Sequence, residues 1–321
     1  MEDFILKKSF RGKTAVPPLH HRNLKKNIKR NIWLYIFLII PVAYYIIFCY
    51  VPMYGIIIAF KDFKISLGYG GSKWVGFYQF ERLFRSTAFY RILRNTLLLN
   101  VYTLVFGFPA PIILAIILNE IRNVTFKRVS QSILYLPHFI SWVVLAGIFI
   151  QMLSPSTGII NIILKAIGIK PVYFLIDPFW WPAWYVISGI WEGVGWGSII
   201  FLAAISNIDP ELYEAARIDG AGKFAQIWNI TLPCIRPTVA IMLILRMGGM
   251  MSIGFDHIYN LMNSAVFDVA DVISTYVYRI GIQQAQYSYT TAVGLFQSVV
   301  ALIMIIGANK VVKALGESGL W

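Results

Sequence analysis

Charge is what this sequence has least of. Asp, Glu, Lys and Arg together make up 13% of its 321 residues, and Asp and Glu supply only 15 of them. A soluble domain ordinarily carries about 25% charged and about 45–50% apolar residues, whereas 58% of this chain is apolar. Cysteine is nearly missing too, since Cys49 and Cys234 make no spacing suited to a disulfide framework or a metal site. His20, His21, His138 and His257 form no i, i+4 pair with a nearby acid, so no metal site is expected. There is no G-x-x-x-x-G-K-S/T stretch, so no loop here is built to cradle nucleotide phosphates. The glycine-rich piece Gly68-Tyr69-Gly70-Gly71-Ser72-Lys73 lacks the strand-to-helix setting of such a loop and reads as a turn. What charge there is leans basic, to a net +13, yet 16% of the chain is aromatic. That combination does not fit a disordered or nucleic-acid-binding chain.

What is abundant is long apolar blocks. A helix needs roughly 20 apolar residues to cross a bilayer core about 30 Å thick. Residues 32–60, 95–119, 132–153, 183–206, 238–258 and 289–308 read as six such spans. Glu192 is the one acid of the fourth, and Arg246 is the one base in the stretch Thr238 to Phe255 of the fifth. The fold class is therefore an all-α integral membrane protein with six transmembrane helices.

Orientation follows from the bases. Residues 1–31 hold nine Lys or Arg opposed only by Glu2 and Asp3, with no A-x-A-like cleavage site, which reads as a retained cytoplasmic start. Six crossings put the carboxyl-terminal tail, 309–321, inside as well. On this orientation the inner segments carry 17 bases and the outer ones 10. Seven of the latter fall in one outer loop, 61–94. There Arg82, Arg85, Arg91 and Arg94 alternate with Phe80, Phe84, Phe89 and Leu93, which predicts an amphipathic helix lying on the outer surface. The basic tail is expected to hold the anionic cytoplasmic leaflet, with each base worth about 1 kcal/mol there. Contact with another subunit, or sealing of an inner mouth, is an alternative role for it.

The inner segment 207–237 is more than a loop. Asp209-Pro210 starts a helix, with Pro in the first turn where its missing N–H costs nothing. Leu212, Ala215, Ala216 and Ile218 offer one side to a contact, Glu211 and Glu214 suit the positive end of the helix dipole, and Gly220 and Gly222 permit a turn. A second short helix follows through Phe224, Ile227, Trp228 and Ile230, with Pro233 and Pro237 ending it and launching the fifth span. Such a helix–turn–helix is either a docking element or a surface helix resting on its own membrane domain.

Here the residues carry a resemblance. Glu214-Ala215-Ala216, then Gly220, then Ile230-Thr231-Leu232-Pro233 resembles the EAA loop of binding-protein-dependent ABC importer permeases at every defining position. Asp219-Gly220-Ala221-Gly222 and Tyr135-Leu136-Pro137 are similar to the maltose-type (MalF/MalG-like) sugar permeases. Ala270-Asp271-Val272-Ile273 to Tyr278-Arg279, followed by Thr291-Ala292-Val293-Gly294-Leu295-Phe296-Gln297-Ser298, is similar to their LplB-like oligosaccharide subgroup. The resemblance implies a type I ABC importer permease fold in a bacterial inner membrane. It implies a second homologous permease, two ATPase subunits and an extracytoplasmic solute-binding protein as partners. It also implies an oligosaccharide substrate, no catalysis and no cofactor in this chain, and ATP with magnesium in the ATPase subunits. Glu214, Ala215, Ala216, Gly220, Ile230, Leu232 and Pro233 would then form the ATPase-coupling element.

Membrane carriers usually hold substrate near the bilayer midplane, where polar groups are costly. At about 1.5 Å per residue, Trp196 lies roughly 16 Å and Glu192 roughly 22 Å in from Asn207, and Arg246 roughly 12 Å and Met250 roughly 18 Å in from Thr238. Glu192, Gly193, Trp196, Arg246, Gly249 and Met250 are the resulting substrate-pathway candidates. Aromatic faces suit sugar rings, and Arg supplies fixed donors for hydroxyls or carboxylates. Each has a plainer reading. Trp196 could be packing, Arg246 could pair with Glu192 if the helices are offset, Gly189, Gly193 and Gly197 could mark a close helix contact, and Gly248-Gly249 could simply kink the helix. Two other functions compete with the importer permease. A secondary transporter or channel working alone should show paired intramembrane acids, of which only Glu192 is present. A membrane-anchored scaffold would bind anionic lipid or nucleic acid through residues 1–31.

Overall fold

The structure is a computed structural model that describes residues 31–317 and 319. The basic tail, apart from Asn31, lies outside the described residues. The chain divides into two units, Met1–Gly55 and Ile56–Trp321. In the first, α1 (Ile32–Tyr45) is apolar around its whole circumference and runs into a π turn, Ile46–Tyr50.

The second unit begins with a small antiparallel pairing of β1 (Lys61–Asp62) with β2 (Lys73–Trp74), Lys61 facing Trp74. The helices α2 (Tyr78–Arg85), α3 (Thr87–Tyr102) and α4 (Pro109–Glu120) follow, the last two joined by a π turn at Thr103–Gly107. Next come α5 (Val124–Tyr135), a tight turn at Leu136–Phe139, α6 (Trp142–Met152), α7 (Ile159–Ala166) and α8 (Trp181–Ser206). Beyond them lie α9 (Pro210–Ile218), α10 (Lys223–Gln226) and α11 (Leu232–Gly248), the latter two bridged by a π turn at Ile227–Thr231. Short helices α12 (Phe255–Leu261), α13 (Phe267–Ala270) and α14 (Ile273–Val277) lead to the long α15 (Tyr287–Ala314). Among the described residues, five helical stretches are long and apolar enough to cross a membrane: Ile32–Phe60, Thr87–Glu120, Trp181–Ser206, Lys223–Gly248 and Tyr287–Ala314. There are six if Val124–Phe139 and Trp142–Met152, bent by 102° to each other, count as one broken span.

Several expected boundaries change. The run 132–153 is not one straight helix, because Pro137 and the extended residues Ile140 and Ser141 break it. The arginines of the 61–94 loop do not share one amphipathic helix. Ser86, in an extended conformation, caps α3 through its side chain on the Phe89 N–H, so Arg82 and Arg85 fall on α2 while Arg91 and Arg94 ride the start of the second span. Pro233 and Pro237 do not end a helix; both lie inside the continuous stretch Lys223–Gly248. The helix survives because the π turn Ile227–Thr231 holds the carbonyl four residues before Pro233, and a widened turn relieves that clash. Pro52 and Pro109 likewise follow the π turns Ile46–Tyr50 and Thr103–Gly107. The fifth helix stops at Gly248 rather than continuing to 258, where two successive glycines cost about 1 kcal/mol each in a helix interior. The sixth runs on to Ala314, so the 309–321 tail begins inside it.

Among the described residues, four clusters hold the second unit together, the smallest being Ala240, Ile244 and Val312 between α11 and α15. One gathers Leu145, Phe149, Trp181, Tyr185 and Ile258, with the Trp181 indole N–H donating to the Leu261 carbonyl at 3.1 Å. Another joins Leu83 and Ile92 to Met251, Ile273 and Val293. A third, Ala115, Phe201, Ile205 and Ile235, binds α4, α8 and α11 at the end nearest α9.

Candidate functional site

The segment after α8 is built to stand out from the bundle. Asp209 accepts a hydrogen bond from the Glu211 N–H at 3.0 Å and starts α9. The helix closes with Gly220 at φ +78°, the Ala221 N–H reaching Ala216 O at 2.8 Å and the Gly220 N–H reaching Arg217 O at 3.1 Å. This is the paired-bond ending that a left-handed glycine allows. Gln226 donates to Ala221 O at 2.9 Å, and Lys223 reaches Glu120 at 2.7 Å, tying the turn to the end of α4. Tyr213 and Thr231 share a hydroxyl contact at 2.9 Å that fixes α9 against the π turn. The apolar tips remain outside: Ile218 is 86% exposed and Phe224 85%, and Leu212 and Trp228 are exposed with them. Glu214, Ala215 and Gly220 are exposed, and Ala216 is half-buried.

The pathway candidates divide into two places. Gly193 and Arg246 line a cavity of about 270 Å³ between α4, α8 and α11, together with Gly107, Pro111, Gly189 and Gly197. A Cβ added at Gly197 would lie 3.0 Å from Pro111, whereas one at Gly193 would meet nothing within 4 Å. Glu192 and Trp196 point elsewhere, to the broken third span. Glu192 Oε1 lies 2.8 Å from His138 Nδ1, and the Trp196 ring stacks on the His138 ring at 4.9 Å and 10°. The alternative pairing of Arg246 with Glu192 is not made, and Arg246 has no hydrogen bond or ion pair among the described residues. Gly249 and Met250 come just after the last turn of α11, with Met250 buried. No group of three or more His, Cys, Asp or Glu placed to hold a metal ion occurs among the described residues.

Residues 85–317 match the binding-protein-dependent transport system inner membrane component. The chain belongs to this family. It is 47% identical over 294 residues to Protein LplB of Bacillus subtilis (strain 168), which covers 92% of each chain. It is 43% identical over 289 residues to the polygalacturonan/rhamnogalacturonan transport system permease protein YteP of the same organism, which covers 90% of each. Among solved structures it is similar to a chain of a bacterial alginate ABC transporter in complex with an alginate pentasaccharide-bound periplasmic protein. The TM-score there is 0.85 at 43% identity, covering 93% of this chain and 100% of that one. The protein is thus an inner-membrane permease subunit of a binding-protein-dependent ABC importer.

Two parts of this permease escaped the sequence reading. His138 was visible beside Tyr135-Leu136-Pro137, but its partner Glu192 is 54 positions away. The bases of the 61–94 loop also have structural work. Arg91 pairs with Asp268 at 2.9 Å, and Arg82 lies 4.6 Å over the Tyr289 ring while donating to Gln286 at 2.7 Å. Asn95 donates to the Asp268 and Asp271 carbonyls at 2.8 and 3.0 Å, stitching α3 to the α13–α14 segment. The fully buried Asp271 accepts from Arg279 at 2.6 Å and from Thr275 at 2.8 Å. Burial pushes its carboxyl above the usual carboxylate range, against the lowering effect of the Thr275 hydrogen bond and the Arg279 charge.

Proposed function

We propose that this permease forms half of a translocation pathway for an acidic oligosaccharide and couples it to ATP hydrolysis on separate subunits. Its partners are a second homologous permease, two ATPase subunits that carry ATP and magnesium, and a solute-binding protein that delivers the sugar. Both termini lie in the cytoplasm, and the chain itself catalyses nothing. The observation that carries the reading is the α9–α10 element: an EAA register whose Ile218 and Phe224 project, uncovered, from a turn fixed by Gly220. Apolar tips on a rigid turn need a partner surface to cover them. Glu214 makes the polar contact with that surface, Ala215 and Ala216 allow close approach, and Ile230, Leu232 and Pro233 carry movement of the turn into the fifth helix. Such a coupling element has no use in a carrier working alone.

Arg246 supports the acidic character of the cargo. It is a cation in an intramembrane cavity with no carboxylate partner among the described residues, where nothing lies within 4 Å of a Cβ added at Gly193, and intramembrane charges that line cavities mark substrate paths. YteP and the alginate transporter are named for polymers of sugar acids, which fits the same chemistry. Gly249 and Met250 follow the last turn of the helix that carries Arg246 and would extend the pathway beyond it. The test is the complete importer reconstituted in vesicles with its binding protein saturated. Glu214→Ala is expected to abolish sugar-stimulated ATP hydrolysis, and Arg246→Gln is expected to lower uptake of oligogalacturonate more than that of its neutral methyl ester. Unchanged hydrolysis with Glu214→Ala would refute the coupling assignment. Equal loss of both sugars with Arg246→Gln would refute the acidic-cargo assignment.

A further inference from the structure

A cavity of about 660 Å³ lies between α3, α8 and the residues just ahead of α8. One wall is a row at spacings of four, Arg94, Leu98, Tyr102 and Phe106, and Ile187 and Ile190 of α8 stand on the other. That spacing keeps the row on one helix face. The row runs about 18 Å at about 1.5 Å per residue, slightly more than one leaflet of a hydrocarbon core about 30 Å thick. Ile190 lies roughly 200° around α8 from Glu192, so the slot opens on a different side of that helix from Glu192 and Trp196. Apart from Arg94, Asn95 and the Tyr102 hydroxyl, its lining side chains are apolar. Arg94 is exposed at one end of the row. Its Nε and Nη2 reach Asn95 Oδ1 at 3.4 and 3.2 Å, and it has no ion pair among the described residues. The acids next to the lining in sequence are already engaged: Asp268 pairs with Arg91 at 2.9 Å, and Asp177 accepts from the Phe179 N–H at 2.8 Å. In a bilayer an apolar slot of this kind fills with hydrocarbon, because an empty wall forfeits its dispersion contacts and water is disfavoured against it.

We propose that this slot holds one acidic phospholipid of the outer leaflet, with an acyl chain along Leu98, Tyr102 and Phe106 and the phosphate on Arg94. The inference rests on the proposed orientation, in which α3 starts at the outer face, and not on what the importer carries. Asn95 steadies one side of the guanidinium fork, and its remaining donors meet phosphate oxygens. A zwitterionic headgroup would bring an ammonium beside the guanidinium, so a headgroup of net negative charge is preferred. The chain leaves one hydrocarbon surrounding for another and gains mainly packing, so the slot selects shape and Arg94 selects charge. Asn95 also donates to the Asp268 and Asp271 carbonyls at 2.8 and 3.0 Å. A phosphate on Arg94 therefore sits beside the joint between α3 and the α13–α14 segment and braces it.

The experiment takes the complete importer, purified in detergent and delipidated, and titrates it with palmitoyl-oleoyl phosphatidylglycerol or the matching phosphatidylcholine. Bound lipid is counted by native mass spectrometry with no sugar present. Lipid held elsewhere on the complex is common to all variants and drops out of the differences between them. The unsubstituted importer is expected to bind one phosphatidylglycerol per copy of this permease about tenfold more tightly than phosphatidylcholine, the effect of one charge-assisted contact. Arg94→Gln is expected to bring the acidic lipid down to the affinity of the zwitterionic one and to leave the latter unchanged. Ile187→Trp, which fills the slot and spares Arg94, is expected to lose both lipids, and Leu98→Trp serves the same purpose from the other wall should the first variant fail to assemble. Equal binding of the two lipids by the unsubstituted importer, or a preference that survives Arg94→Gln, would overturn the proposal. So would undiminished binding with the slot filled, or a Leu98→Cys importer, with Cys49→Ser and Cys234→Ser, that cross-links to a neighbouring span and binds no lipid. Because the readout needs neither cargo nor hydrolysis, each of these outcomes leaves the importer reading and its acidic cargo standing.

Discussion

Gly220 sits at φ +78°, with nothing within 4 Å of where a Cβ would stand. A side chain there meets backbone strain rather than a clash, worth about 1–2 kcal/mol. Gly220→Val is therefore expected to unwind the end of α9 and weaken ATPase attachment roughly 5–30-fold in a pull-down of the complex, while Gly222→Ala, at an ordinary φ, leaves it unchanged. Arg279 gives a stability test away from the pathway. Arg279→Gln strands the buried Asp271 carboxylate and is expected to cost about 3 kcal/mol, read as a lowered thermal midpoint of the purified permease. Adding Asp271→Asn should recover most of that loss, since a neutral amide no longer needs the guanidinium; no recovery would mean that Arg279 acts through its stacking on Phe267 instead. Residues such as Glu214 and Gly220 were legible because a local register carries them. His138 was not, because one histidine in an apolar run has no spacing to betray it and its partner is far along the chain.

At the level of elements, α8 carries a glycine row whose members do different work. Gly195 is pressed under the Leu134 carbonyl, and Gly193 looks into the Arg246 cavity. Gly195→Ala is expected to destabilise the permease by forcing the broken third span outward, lowering the thermal midpoint. Gly193→Ala should leave that midpoint unmoved and slow import instead. The reverse pattern would show that the cavity is packing space. The positions of the apolar blocks were readable because block length reports on burial in lipid. The bend was not, since the 132–153 run holds no charge to mark where its direction changes, and only Pro137 hints at it. The prolines of the fifth helix misled for a related reason: the π turn that absorbs Pro233 lies in main-chain geometry that composition does not reveal.

At the scale of the whole molecule, two surfaces among the described residues are left without a partner. One is the cavity between α4, α8 and α11 that holds Arg246. The other is the exposed α9–α10 turn, at the far end of the continuous stretch Lys223–Gly248 whose last helical turn carries Arg246. On the proposed reading, docking at the turn and cargo in the cavity would act on opposite ends of one helix, a direct mechanical route for coupling. The central claim is that this turn seats in an ATPase subunit. Cross-linking tests it most directly: in the full complex, with Cys49→Ser and Cys234→Ser removing both native exposed thiols, Ile218→Cys or Phe224→Cys is paired with cysteines on the ATPase. The account predicts rapid disulfide formation that changes in yield when ATP is added. Absence of any cross-link from both positions, in a complex that still imports sugar, would contradict it.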